Sequence, residues 1–204
     1  MLLKKLWLEE KEIVTVGEME RYCDRLRIDC KKALHSLMAS HRIVRIFHGI
    51  YYIKNPEEVE LSRIRYNHLE LVSKGMAAKG IRNWYFGLYT ALKHNNMTHE
   101  YFNVEYIVND TISRPKPISI AGSMFRFLKF KHSLFGFGVA GDKIPYSDPE
   151  KTVLDFIYLW KYNGVPEEKI LADTEEYVSR ISKNKIRKYA EHYPKSIVNI
   201  VEAL

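Results

Sequence analysis

The stretch VTVGEMERYCDRLRIDCKKALHSLMASHRIVRIFHGIYYI, residues 14–53, decides how the chain should fold. Thr15 and Glu18 stand at the spacing in which a threonine hydroxyl caps a helix and a glutamate reaches back to the cap's amide, so a helix is expected over about 16–25. Met19, Tyr22, Cys23 and Leu26 give it one apolar stripe. After the short Leu26-Arg27-Ile28 connection, Asp29 is a favoured cap for a second helix over about 30–41. Cys30, Ala33, Leu34, Leu37, Met38 and His41 fall on one side of that helix, which leaves Lys32, His35, Ser36 and Ala39 projecting from the other. Ile43–Phe47 and Ile50–Ile53 then read as two strands joined at His48-Gly49, where glycine supplies the positive φ of a tight turn.

Helix, turn, helix and hairpin together predict a winged helix-turn-helix. The projecting face of the second helix is short and smooth enough to enter a DNA major groove, with Lys31 and Ser40 at its margins where phosphates would lie. Residues 29–54 carry five Lys/Arg, at 31, 32, 42, 45 and 54, against Asp29, whereas residues 1–28 carry six of each sign. Positive charge is thus confined to the second helix and hairpin, as phosphate binding requires. The candidate DNA-contacting residues are Lys31, Lys32, His35, Ser36, Ser40, Arg42, Arg45 and His48. The same shape also serves protein–protein adaptors, so an interaction module with no sequence-specific DNA binding stands as the alternative.

The whole chain has 204 residues, 46% hydrophobic and 13% aromatic, enough for one large or two small cores. A net charge of +7 favours an acidic partner, nucleic acid first. Cys23 and Cys30 sit on the apolar faces of adjacent helices and read as two buried free thiols. Leu2, Leu3, Leu6 and Trp7 alternate with charges in an amphipathic first helix, neither signal peptide nor membrane span, so a soluble cytoplasmic protein without membrane partners is expected. No phosphate-binding glycine loop, HExxH or GxSxG is present, and the histidines lack paired metal-ligand spacing. Asp110, Asp142, Asp148 and Glu150 are scattered acids, with Ser147, Asp148 and Glu150 suited to capping a helix. The expectation is therefore no enzyme, no metal and no cofactor.

Pro56 breaks the second strand and suggests a domain boundary, giving 1–55 and 56–204. Leu61, Ile64, His68, Leu71, Val72 and Gly75 mark a helix ending near Gly75 or Gly80, with His68 read as a core histidine. A strand at 83–87 and a short helix to about 92 follow, and the aromatics Trp84, Tyr85, Phe86 and Tyr89 could either stack on bases or form core. Strands are predicted near 103–108, 118–121, 124–131 and 137–140, with a bulge near Leu128. Residues 111–141 hold no acid and five cations, Arg114, Lys116, Arg126, Lys129 and Lys131. That stretch is either one solvated face of an antiparallel sheet or a second basic surface for nucleic acid or an acidic partner. Helices from Ser147 onward, over about 166–181, 184–192 and 194–203, make a helical tail. The fold class is α+β: a winged helix followed by an α+β domain with a small antiparallel sheet.

HGIYYI (48–53), WYFGLYTAL (84–92) and IPYSDPEKTVLDFIYL (144–159) give the chain a resemblance, over nearly its whole length, to the AbiEi family of antitoxin-type transcriptional regulators. The resemblance implies an amino-terminal domain that represses its own operon by binding double-stranded DNA, with inverted repeats one form the operator could take. It also implies a carboxy-terminal antitoxin domain acting against a nucleotidyltransferase-like toxin of an abortive-infection system.

Overall fold

The computed structural model describes residues 1–204, with ten α-helices and two sheets. The chain divides into two compact units, 1–82 with 119–123 and 83–118 with 124–204. The first contains α1 (Leu2–Leu8), β1 (Ile13–Thr15), α2 (Val16–Leu26), α3 (Cys30–Ala39), β2 (Ile43–Phe47), β3 (Ile50–Ile53), α4 (Pro56–Glu60) and α5 (His68–Ala78). The capping box closes as the residues foretell: Glu18 N–H donates to Thr15 Oγ1 at 3.2 Å and Thr15 N–H donates to Glu18 Oε2 at 2.9 Å. Lys32 N–H donates to Asp29 Oδ1 at 3.0 Å and opens α3.

The three strands form an antiparallel sheet in the order β1-β3-β2, and every residue of the central β3 is buried. Alternation sends Tyr51 and Ile53 into a core with Leu6, Met19, Leu34 and Leu37 of α1–α3. The other face is covered by α5, which packs against all three strands. A bulge between Arg45 and Phe47 breaks the alternation, so that Ile46 and Phe47 are both buried. A Cβ at Gly75 would lie 2.6 Å from Ile46 Cγ2 and 2.7 Å from Phe47 Cε2, so only glycine lets α5 come this close.

This packing corrects the boundary expected at residue 55. Without α5 the sheet would expose one whole face, and the unit accordingly runs to Arg82. The single helix expected after Pro56 is two helices, with Leu61 half exposed between them, because Asn67 and Glu70 form a capping box of their own and restart the helix at His68. Gly75→Ala should therefore destabilise the protein by about 1–3 kcal/mol through overpacking, more than the roughly 1 kcal/mol that alanine gains in helix propensity. Chemical denaturation of the two proteins would measure it, and a more stable alanine variant would contradict the packing.

The chain continues through β4 (Trp84–Phe86), α6 (Leu88–His94), β5 (Val104–Asn109), β6 (Ile118–Ile120), β7 (Ser123–Lys129), β8 (Val139–Ala140), β9 (Tyr146–Ser147), α7 (Pro149–Tyr162), α8 (Glu167–Val178), α9 (Lys183–Ala190) and α10 (Lys195–Glu202). The second sheet has the order β6-β7-β5-β4-β9-β8 and is mixed, not antiparallel: β5 pairs β7 in parallel and β4 pairs β9 in parallel. Apolar alternation reports which face of a strand is buried but not the direction of its neighbour, so the sequence could not show this. The β5–β7 register runs without a break from Val104↔Met124 to Asn109↔Lys129, and the bulge expected near Leu128 is absent. The carboxy-terminal helices are no tail, since Ile170, Ile186, Ile197 and Ile200 join Val108, Val153 and Leu154 in one core.

The cap of α7 is Asp148, which accepts Lys151 N–H at 2.9 Å, with Pro149 at the first helical position. Ser147 instead closes a buried hydroxyl pair with Thr152 at 2.7 Å. Burial alone would raise the Glu150 carboxyl, but hydrogen bonds from Lys185 and the Ser182 N–H hold it below its ordinary value. One turn further in, Lys151 and Asp155 are both fully buried with 3.6 Å between Nζ and Oδ1. Lys151 Nζ donates to Leu134 O at 2.8 Å and lies 4.3 Å from the centre of the Phe137 ring. Asp155 accepts from Tyr193 Oη at 2.7 Å and from Tyr85 Oη at 2.8 Å. Burial lowers the Lys151 ammonium pKa and raises that of the Asp155 carboxyl, each against the pull of its partner.

Candidate nucleic-acid interface

The exposed face of α3 follows directly from its core face. Leu34 and Leu37 are buried, so Lys31, Lys32, His35, Ser36 and Ala39 stand in solvent. His41 does not join the apolar side as its spacing suggests. It lies beyond the helix at φ 50°, with its N–H on Met38 O and the Arg42 N–H on Leu37 O, a helix stop normally built on glycine. Ser40 Oγ donates to Ser36 O at 2.8 Å. That bond makes Ser40 part of the helix end, where its side chain stays exposed.

Arg42, Arg45 and His48 are exposed on and around the β2–β3 hairpin, and α3 packs against β2. Gly49 sits at φ 74°, and its carbonyl accepts the Val16 N–H at 2.7 Å, so the hairpin tip is tied to the start of α2. Lys54, counted among the cations of this stretch, is only 6% exposed. That leaves four exposed cations, Lys31, Lys32, Arg42 and Arg45, with Asp29 the one exposed carboxylate of residues 29–54. Of the cysteines, Cys23 is buried and Cys30 half buried. Burial, then a hydrogen bond with Cys30, pushes the Cys23 thiol up to about 12, so it stays protonated.

Neither a family model nor a curated protein matches the chain. Among solved structures it is similar to the crystal structure of the RV2827C protein from Mycobacterium tuberculosis, with a TM-score of 0.60 at 12% identity over 98% of this chain and 73% of that one. At that identity the likeness concerns the fold alone. No helix of the chain is long and apolar enough to cross a membrane.

All five cations of the second basic stretch are exposed. Arg126, Lys129 and Lys131 are brought together along one groove of the second unit, while Arg114 and Lys116 lie outside its lining. Of the aromatics near the start of that unit, Tyr85 and Phe86 are core and Tyr89 lines the same groove. Three of the four scattered acids are engaged in local contacts. Asp110 accepts from Asn83 Nδ2 at 2.8 Å and pairs with His132, while Asp148 and Glu150 share Lys185.

Proposed function

We propose that the first unit is a winged helix that binds double-stranded DNA and that the protein is a transcriptional regulator repressing its own operon. The observation that carries this reading is the α3 face, where Lys31, Lys32, His35 and Ser36 are exposed beside a basic hairpin with one carboxylate in the stretch. A narrow helix edge of that chemistry matches the width and hydrogen-bonding pattern of the major groove, and the surrounding cations match phosphates on either side. The antitoxin role of the second unit, against a nucleotidyltransferase-like toxin, is proposed on the resemblance of residues 84–92 and 144–159 alone.

Retention on the DNA upstream of the gene, weakening steeply as salt rises, is the test of the first proposal. Absent or salt-insensitive retention would leave the interaction-module reading in its place. Within that assay, Arg45→Ala should weaken binding about equally on every sequence and lower the log–log salt slope by roughly one, the signature of one lost phosphate contact. A loss confined to one sequence would make Arg45 a base reader. Co-expression with the neighbouring gene tests the second proposal: if residues 83–204 are needed for binding DNA but not for relieving toxicity, the assignment of roles is wrong.

A further inference from the structure

The groove that gathers Arg126, Lys129 and Lys131 measures about 680 Å³, within the range of small-molecule sites. Half of its lining is aromatic and none of it is acidic. Tyr106, Tyr89, Phe156 and Trp160 form a continuous run of rings, with successive centres 5.4, 4.9 and 5.1 Å apart. Tyr162 stands at the edge, 81% exposed. The strand register places Arg126 against this wall, because Tyr106 of β5 pairs with it on β7, while Lys129 and Lys131 line the groove at the end of that strand. The last turn of α7, with Tyr162 and Asn163, lines the opposite side and carries about half a negative charge. Three cations outweigh it, and they lie beside an aromatic wall built from β5, α6 and α7.

An acidic peptide would satisfy the cations and leave the rings bare. A greasy ligand would do the reverse. Duplex DNA keeps its bases stacked inside and cannot offer their faces to a concave wall. A nucleotide has both halves, a π-face to stack and phosphates to pair. We propose that this groove binds a nucleotide, its base against Tyr89, Tyr106 and Trp160 and its phosphates on Arg126, Lys129 and Lys131. The nucleotide is either free or part of an unpaired strand, and the site stands independently of DNA binding by the first unit.

The test is calorimetric titration of the full chain with ATP, GTP, CTP and UTP, with the matching nucleosides, with inorganic triphosphate, with a thymidine decanucleotide and with a polyglutamate peptide. At least one nucleotide should bind, with its nucleoside and inorganic triphosphate each roughly tenfold weaker because each makes half the contacts. Arg126→Ala, at an exposed position outside the core, should cost roughly tenfold in nucleotide affinity. Base stacking should quench tryptophan fluorescence, and Trp160→Phe should keep the binding while removing most of the quench. Tighter binding of the decanucleotide than of any mononucleotide makes the ligand a single strand; the reverse makes it a free nucleotide. The proposal is overturned if neither form binds at about 1 mM, if inorganic triphosphate binds as well as the nucleotides, or if polyglutamate displaces them at equal concentration.

Discussion

Asp155→Ala should lower the unfolding free energy by about 3–5 kcal/mol, a large share of the roughly 5–15 kcal/mol that a typical domain possesses. The carboxylate is fully buried and serves three partners, the Lys151 ammonium and the Tyr85 and Tyr193 hydroxyls. Removing it strands a buried cation together with two buried donors, which lose their acceptor. Removing both charges is a different experiment. Lys151→Met with Asp155→Leu deletes the desolvation penalty of two ions, so the double variant should recover part of that loss, but it stays below wild type because the buried Tyr85 and Tyr193 hydroxyls still lack their acceptor. The measurement is a double-mutant cycle by denaturant unfolding, in which the sign and size of the coupling decide the matter. A single Asp155→Ala variant as stable as the wild type would mean that the pair is not buried in solution as it is here.

Lys32→Ala with Ser36→Ala is the second large effect, expected on DNA affinity and not on stability. Both side chains are exposed on α3, so their loss removes no packing. If each contacts a base edge, each should cost about 1–3 kcal/mol at the specific site and relax the preference for the base it reads. Equal loss on all sequences would reassign them to the phosphates. Unchanged binding by the double variant would take α3 out of the groove altogether, and the hairpin would then have to carry recognition alone.

Local chemistry was legible wherever a short-range rule governs it. Thr15 with Glu18 and Asp29 announce the two helix starts, and His48-Gly49 announces the hairpin, because caps and turns are settled within four residues. The stop of α3 was not legible, since His41 occupies a left-handed position where the eye looks for glycine or asparagine. The Asn67–Glu70 box was available in the sequence, and it signals the restart that an uninterrupted apolar period from Leu61 to Gly75 conceals. Lys151 and Asp155 are hidden for a different reason. A lysine four residues from an aspartate on a helix reads as a solvated surface pair, and only Tyr85 and Tyr193, distant in sequence, turn it inward. The candidate DNA-facing residues emerged from the helical period of α3, the hairpin signal and the local charge count, whereas the groove needed strand β7 to lie parallel beside β5, a long-range fact.

The order in which the strands meet sets when each unit can exist during synthesis. The three strands of the first sheet lie within residues 13–53 and can pair soon after leaving the ribosome. The second unit is different: β4, made at residue 84, waits for its parallel neighbour at Tyr146, and its core still lacks Ile197, Ile200 and Val201 until α10 has been translated. For about sixty codons after β4 the nascent chain therefore carries an incomplete, apolar sheet, and its core stays open until α10 is made. Pausing or truncation in that interval would release a species whose unpaired strands and open core mark it for chaperones and proteases before any second-unit activity can appear.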